Sequence, residues 1–206
     1  MDGPPPAARG RRPGNPGTRD AIVAAAREVF TARGYAGASL RDVARRAGVD
    51  PSLVVHYFGA KAGLLAAAVD WEFDLDAARA RLLDGPHDGL GDRLARMFLA
   101  VWDEAGAAHP VLLLLRVAGT EPRAAALLSD LLRQRLLDPL WPAVARAYGP
   151  DAVPDDPAVS SAWLATTLLG VATTRYLVRL PPLADLPASA VAATLGPALQ
   201  RHLTVT

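Results

Sequence analysis

The sequence predicts an all-helical protein of about nine helices. Three observations carry that expectation. Apolar residues recur three, four and seven positions apart along most of the chain. No stretch between turn signals sustains the two-residue alternation of a strand. Glycine, proline and short polar residues divide the chain into helix-sized pieces. The composition agrees: 51% of the 206 residues are hydrophobic and 21% charged. That is enough to pack one compact domain or two small ones.

Residues 1–17 hold no large apolar residue after Met1, and their prolines and glycines break regular structure, so they read as a basic arm. At Thr18 the pattern changes. Ile22, Ala26, Val29 and Phe30 share one helical face, Thr18 is placed to cap it, and Gly34 to end it. Ser39 with Asp42 three residues later is a variant capping box for a short helix, and Leu40, Val43, Ala44 and Ala47 form its stripe before Gly48. Asp50-Pro51 is a third start signal, and Gly59 ends that helix near Phe58. A longer helix is expected from Ala60 or Lys61 to Leu83. After Gly85-Pro86 and Gly89, helical stretches are expected at 90–106, 110–118, 121–148, 157–179 and 188–203.

Several function classes are excluded or disfavoured. Cysteine is absent, so there are no disulfides, thiolate metal sites or cysteine nucleophiles. That fits a reducing cytoplasm. No apolar run is long enough to cross a membrane, and the basic N-terminus lacks the apolar run of a signal peptide. There is no nucleophile elbow, phosphate loop, dinucleotide fingerprint or zinc-protease motif. His56, His87, His109 and His202 are scattered, so neither a metal nor a cofactor is expected. Arginine outnumbers lysine 21 to 1, a composition typical of a GC-rich genome.

The net charge of +1 conceals an asymmetry. Ten basic and five acidic residues lie between Met1 and Lys61, and the remainder is mildly acidic. A basic head suits a polyanionic partner. The spacing in 40–58 sharpens this: two short helices joined by a glycine-containing turn make a helix-turn-helix, with a second helix sized for the major groove. An ordinary helical hairpin is the bland alternative.

The stretch from Ala21 to Val69 closely resembles the DNA-binding domain of the TetR family of transcriptional repressors. The resemblance rests on Phe30, Gly34 and Tyr35, on Ser39 to Val49, on His56-Tyr57-Phe58 and on Lys61. It implies double-stranded DNA with an inverted repeat as partner, and a domain plan of 18–61 for DNA binding, 62–83 as connecting helix and 84–206 for effector binding and dimerisation. It assigns base-edge contact to Pro51, Ser52, Leu53 and Val55, and backbone contact to Ser39, Arg41, Tyr57 and Lys61. His56 is left between a DNA-side and a structural role. Two positions depart from the family pattern: Val55 replaces a tyrosine, and Ala60-Lys61-Ala62 lacks the capping serine. Helical geometry independently places Val54 and Phe58 inward and Ser52, Leu53, Val55 and His56 outward.

The resemblance further implies a homodimer joined through 158–179 and 188–203, with Trp163, Leu164, Leu168, Val171, Leu177, Val191, Leu195 and Leu199 as interface candidates. It also implies a cavity for a small lipophilic effector. Candidates for its wall are Trp102, Trp141, Trp163 and Tyr176, with Thr166, Thr167 and Arg175 as polar anchors. Each tryptophan has an ordinary core role as its alternative. Arg116, set in an apolar run, needs solvent, an internal partner such as Glu121 or Glu104, or an acidic ligand. Two rivals remain: a regulator of the same fold without a small-molecule effector, and a helical enzyme that has lost DNA binding.

Overall fold

The computed structural model describes residues 16–69, 74–105 and 109–204, and no strand occurs among them. Most of the expected arm, residues 1–15, lies outside the described residues. The first helix, α1 (Pro16–Gly37), starts two residues before Thr18, which sits inside its first turn. Its regular backbone ends at Gly34, where φ is 68°. Helix α2 (Leu40–Ala47) opens with a reciprocal capping box. The Asp42 N–H donates to the Ser39 hydroxyl and the Ser39 N–H donates to the Asp42 carboxylate, at 3.1 and 3.2 Å. Gly48 closes α2 in the left-handed conformation. Helix α3 (Pro51–Phe58) follows, its first turn capped by Asp50.

The long helix expected from 61 to 83 is two helices. α4 (Lys61–Ala68) ends at Val69, and α5 (Leu75–Leu83) starts from Asp74, whose carboxylate accepts the Ala77 N–H at 2.9 Å. The missing serine cap at Ala60 is real, since no side chain caps α4. Packing holds that junction instead. A Cβ on Gly63 would stand 2.2 Å from the Phe58 carbonyl oxygen, so only glycine lets α4 begin this close to the end of α3.

The body comprises α6 (Leu90–Ala105), α7 (Pro110–Ala118), α8 (Pro122–Asp130), α9 (Leu140–Tyr148), α10 (Pro157–Ala172) and α11 (Ala188–Leu203). The stretch expected as one helix over 121–148 is divided. A π-helical segment, Leu131–Leu137, extends α8, and a turn at 138–139 precedes α9. A second π-helical segment, Thr173–Leu177, extends α10. Helix α6 lies along α11 at unusually close range. A Cβ on Gly91 would meet the Gly196 carbonyl oxygen at 2.4 Å, and the Gly91 N–H donates to the Gln200 side chain at 2.6 Å.

Two apolar cores result. One joins α5, α6, α9, α10 and α11 through Leu82, Leu90, Leu99, Trp141, Leu164, Leu195 and Leu199. The other crosses from the head into the body: Ile22, Phe30, Val54 and Leu65 share it with Leu112, Leu114, Val117 and Leu128. No described helix is long and apolar enough to cross a membrane.

Candidate nucleic-acid interface and body cavity

Helices α2 and α3 present one face of the head to solvent. Val54 is fully buried, while Pro51, Ser52, Leu53, Val55 and His56 are exposed, with Val55 at 50%. Tyr57 and Phe58 are partly buried against the head's core. The α3 surface therefore offers apolar groups, a hydroxyl and an imidazole, with no carboxylate from its own turns. Such a surface can offer apolar contact to a thymine methyl and few hydrogen bonds. The Ser52 hydroxyl donates to the Asp50 carboxylate at 2.6 Å, as does the Ser52 N–H at 2.8 Å. Those two bonds hold the Asp50 carboxyl below the usual carboxylate range.

The flanking groups suit phosphate. Arg41 is exposed in the first turn of α2, and Ser39 is exposed at its cap. Asp42 takes the Ser39 hydroxyl proton bond at 2.6 Å and ion pairs from Arg33 and Arg45, which lower its pKa, the serine bond contributing most. Arg46 pairs with Glu28. Lys61 is not a loose tether: its ammonium lies 4.4 Å from the Tyr35 ring centre and donates to the Ala36 carbonyl at 3.4 Å. That fixes a cation at the first residue of α4, where the helix dipole also favours an anion. His56 lies on the exposed side of α3, its ring edge-on to Tyr57 at 5.5 Å.

In the body, a largely apolar cavity of about 170 Å³ lies between α5, α6, α10 and the π-helical segment after α8. This is smaller than the ~300 Å³ typical at the lower end of ligand pockets. Leu82, Met97, Phe98, Leu136, Leu164 and Leu168 form much of its wall. Of the residues singled out from sequence as an effector site, only Trp102 lines it. Trp141 is buried elsewhere and donates its indole N–H to the Ser161 hydroxyl at 2.8 Å. Trp163 is 54% exposed on the outside of α10, stacked on His202. Thr166 is exposed and donates back to the Ala162 carbonyl, and Thr167 does not reach the cavity. Arg116 is exposed, so its charge reaches water rather than an internal partner.

Tyr176 and Arg175 stand behind the wall. Tyr176 stacks on Trp102 at 5.2 Å and donates to the Asp103 carboxylate at 2.7 Å, and burial raises its pKa to about 12. Arg175 donates to the Leu183 and Leu186 carbonyls at 2.6 and 2.8 Å, tying down the loop before α11. Sequence reasoning missed His109, which lines the cavity and stacks on Trp102 at 3.9 Å. Its ring Nδ1 accepts the Val111 N–H at 3.2 Å, capping α7, and burial pushes its pKa down to about 4. The available signal was its place immediately before a proline at a helix start.

The outer side of α10 carries Val159, Ala162, Trp163, Thr166 and Gly170, all exposed and uncharged. Leu164, Val191, Leu195 and Leu199, expected at an interface between subunits, are instead buried within the chain.

Comparison with known proteins matches these features to one family. Residues 22–68 match the model of the bacterial regulatory proteins of the tetR family, and residues 88–203 match the tetracyclin repressor-like C-terminal domain. A TetR-family regulator from Streptomyces coelicolor is 34% identical, with 94% of this chain and 98% of that one covered, at a TM-score of 0.62. Salmonella enterica GusR shares the fold at 22% identity and a TM-score of 0.63, with 92% and 100% covered. The HTH-type transcriptional regulator BetI of Burkholderia thailandensis is 38% identical over 80 residues; the match spans 38% of this chain and 41% of BetI.

Proposed function

The chain belongs to the tetR family of transcriptional regulators, with a DNA-binding helix-turn-helix at its head, and from that premise we propose a dimeric repressor released from an inverted-repeat operator by a small lipophilic effector. The observation that carries the DNA half of this reading is the exposed α3 face, flanked by Ser39, Arg41 and the fixed Lys61. Pro51, Ser52, Leu53 and Val55 meet base edges, His56 lies beside them, and Tyr57 and Lys61 meet the backbone. The repressor works where the chromosome is, in the cytoplasm.

The exposed, uncharged side of α10 supports the dimer. Stable obligate interfaces bury on the order of 2,000 Å² or more, rich in apolar surface. The Val159, Ala162 and Trp163 patch supplies the centre of one. Release then needs only that effector favour the state whose heads do not fit the operator.

Genome-wide mapping of bound fragments, followed by footprinting on the best of them, tests the reading. Protection of two half-sites related by a dyad supports it, and protection of a single half-site overturns the dimeric repressor. The modest cavity favours one second reading, the same DNA-binding fold with no small-molecule effector. Screening lipophilic compounds for release of the footprint separates the two.

A further inference from the structure

The cavity has a polarity. Its deep walls are leucine, methionine and aromatic side chains, and among the described residues the charged groups that line it are Arg79 and Arg135. Both are cations. Arg79, on α5, is half-buried, and Arg135, on the π-helical segment, is exposed, so the basic end is the end that meets water. The Arg79 guanidinium donates to Asp76 at 2.7 Å, but that carboxylate is 94% exposed. A pair this open to water is weak and exchanges readily with another carboxylate. Arg135 likewise has an interaction of its own, and both guanidiniums keep further N–H donors for such an exchange.

Volume limits the other end of the ligand. A cavity of ~150 Å³ holds one benzene ring in a well-packed helical protein. At about 170 Å³, this one holds a single ring or a short alkyl chain. Phe98, Trp102 and His109 border the space that an aromatic guest would take, the faces of Trp102 being covered by His109 and Tyr176. Arg135 also lines the groove beside Tyr57 and Phe58 at the end of α3. A headgroup held by Arg135 therefore sits next to the DNA-reading head.

We propose that the effector is a small organic acid, with one aromatic ring or a short alkyl chain in the cavity and its carboxylate on Arg79 and Arg135. The assignment rests on reading the cavity as the effector site, and its test separates the two claims. Calorimetric titration of the full chain with phenylbutyrate, phenylbutanol and phenylbutylamine compares one tail under three headgroups. Charge-assisted hydrogen bonds to two guanidiniums should make the acid bind about tenfold or more tightly than the alcohol, and the amine worse than either. Replacing both arginines (Arg79→Gln with Arg135→Gln) should bring the acid down to the level of the alcohol. Leu168→Trp or, from another helix, Met97→Trp should fill the cavity and abolish binding, with cooperative unfolding showing that each variant is folded. If acid and alcohol bind equally and both are lost on filling, the acid assignment fails and the cavity reading stands. If no tail binds, or binding survives both filled variants, the cavity reading fails and the assignment with it.

Discussion

His109 couples the stability of the body to acid. Its side chain is 1% exposed, packed face to face on Trp102, and burial lowers its pKa from 6.5 to about 4. The unfolded chain binds a proton at this ring below pH 6.5, and the folded chain does so only near 4. The stabilisation by the neutral ring is therefore complete above about pH 6.5 and is lost as the pH falls towards 4. The gap between those two values, at about 1.4 kcal/mol per unit, corresponds to about 3 kcal/mol. For a chain of this size that lowers the melting temperature by roughly 6–12 °C. Protonation of Nδ1 also turns the acceptor of the Val111 N–H into a donor, so the start of α7 loses its cap. The lowered carboxylates Asp42 and Asp50 act below this window, because their stabilisation is lost only as the pH drops under ordinary carboxylate values. His109→Asn keeps a capping side chain and removes the titration. Thermal unfolding followed by circular dichroism between about pH 4 and 7 should show the steep dependence in the wild type and a shallow one in the variant. Equal slopes in the two proteins would refute the reasoning.

Three further outcomes follow from the geometry. Gly91→Ala should cost about 1–3 kcal/mol or more in denaturant unfolding, because its Cβ would meet α11 backbone atoms at 2.4 and 2.6 Å rather than movable side chains. Lys61→Ala should weaken binding to all duplexes alike and reduce the salt slope by about one, measured by fluorescence anisotropy; a changed sequence preference with the old slope would contradict a phosphate role. Trp163→Glu should convert the proposed dimer to a monomer in light scattering at micromolar concentration, since it places a charge on the exposed α10 patch.

The head was legible because its signals are local. Ser39 with Asp42, Gly48, and Asp50 with Pro51 each act within a few residues of the backbone they organise, and the observed caps follow them. The break at Asp74 was less visible, because it carries a capping carboxylate without a glycine or proline. Asp138-Pro139 repeats the Asp50-Pro51 signal within a stretch that periodicity alone makes continuous. The π-helical segments leave no compositional mark, since one extra residue per turn depends on tertiary fit. The cavity residues were hardest. Helix α10 is alanine, valine, leucine and threonine on most sides, so its sequence does not say which side is inward, and Trp163 suits a cavity wall, an interface or the core equally. Aromatic area predicts burial somewhere, not a shared wall.

The apolar core that crosses from head to body has a consequence for exchanging parts between relatives. Ile22, Phe30 and Leu65 pack in one cluster with Leu112, Leu114 and Leu128, and Arg27 donates to the Ala68 carbonyl at 2.7 Å within the same region. A reading head transplanted from a relative would bring its own buried volumes to a seat shaped by α7 and α8. The transferable piece is therefore the outer half of α3, whose Ser52, Leu53, Val55 and His56 are exposed to solvent. On the proposed reading, exchanging those four positions changes what the head presents to DNA while the packing beneath them stays as it is.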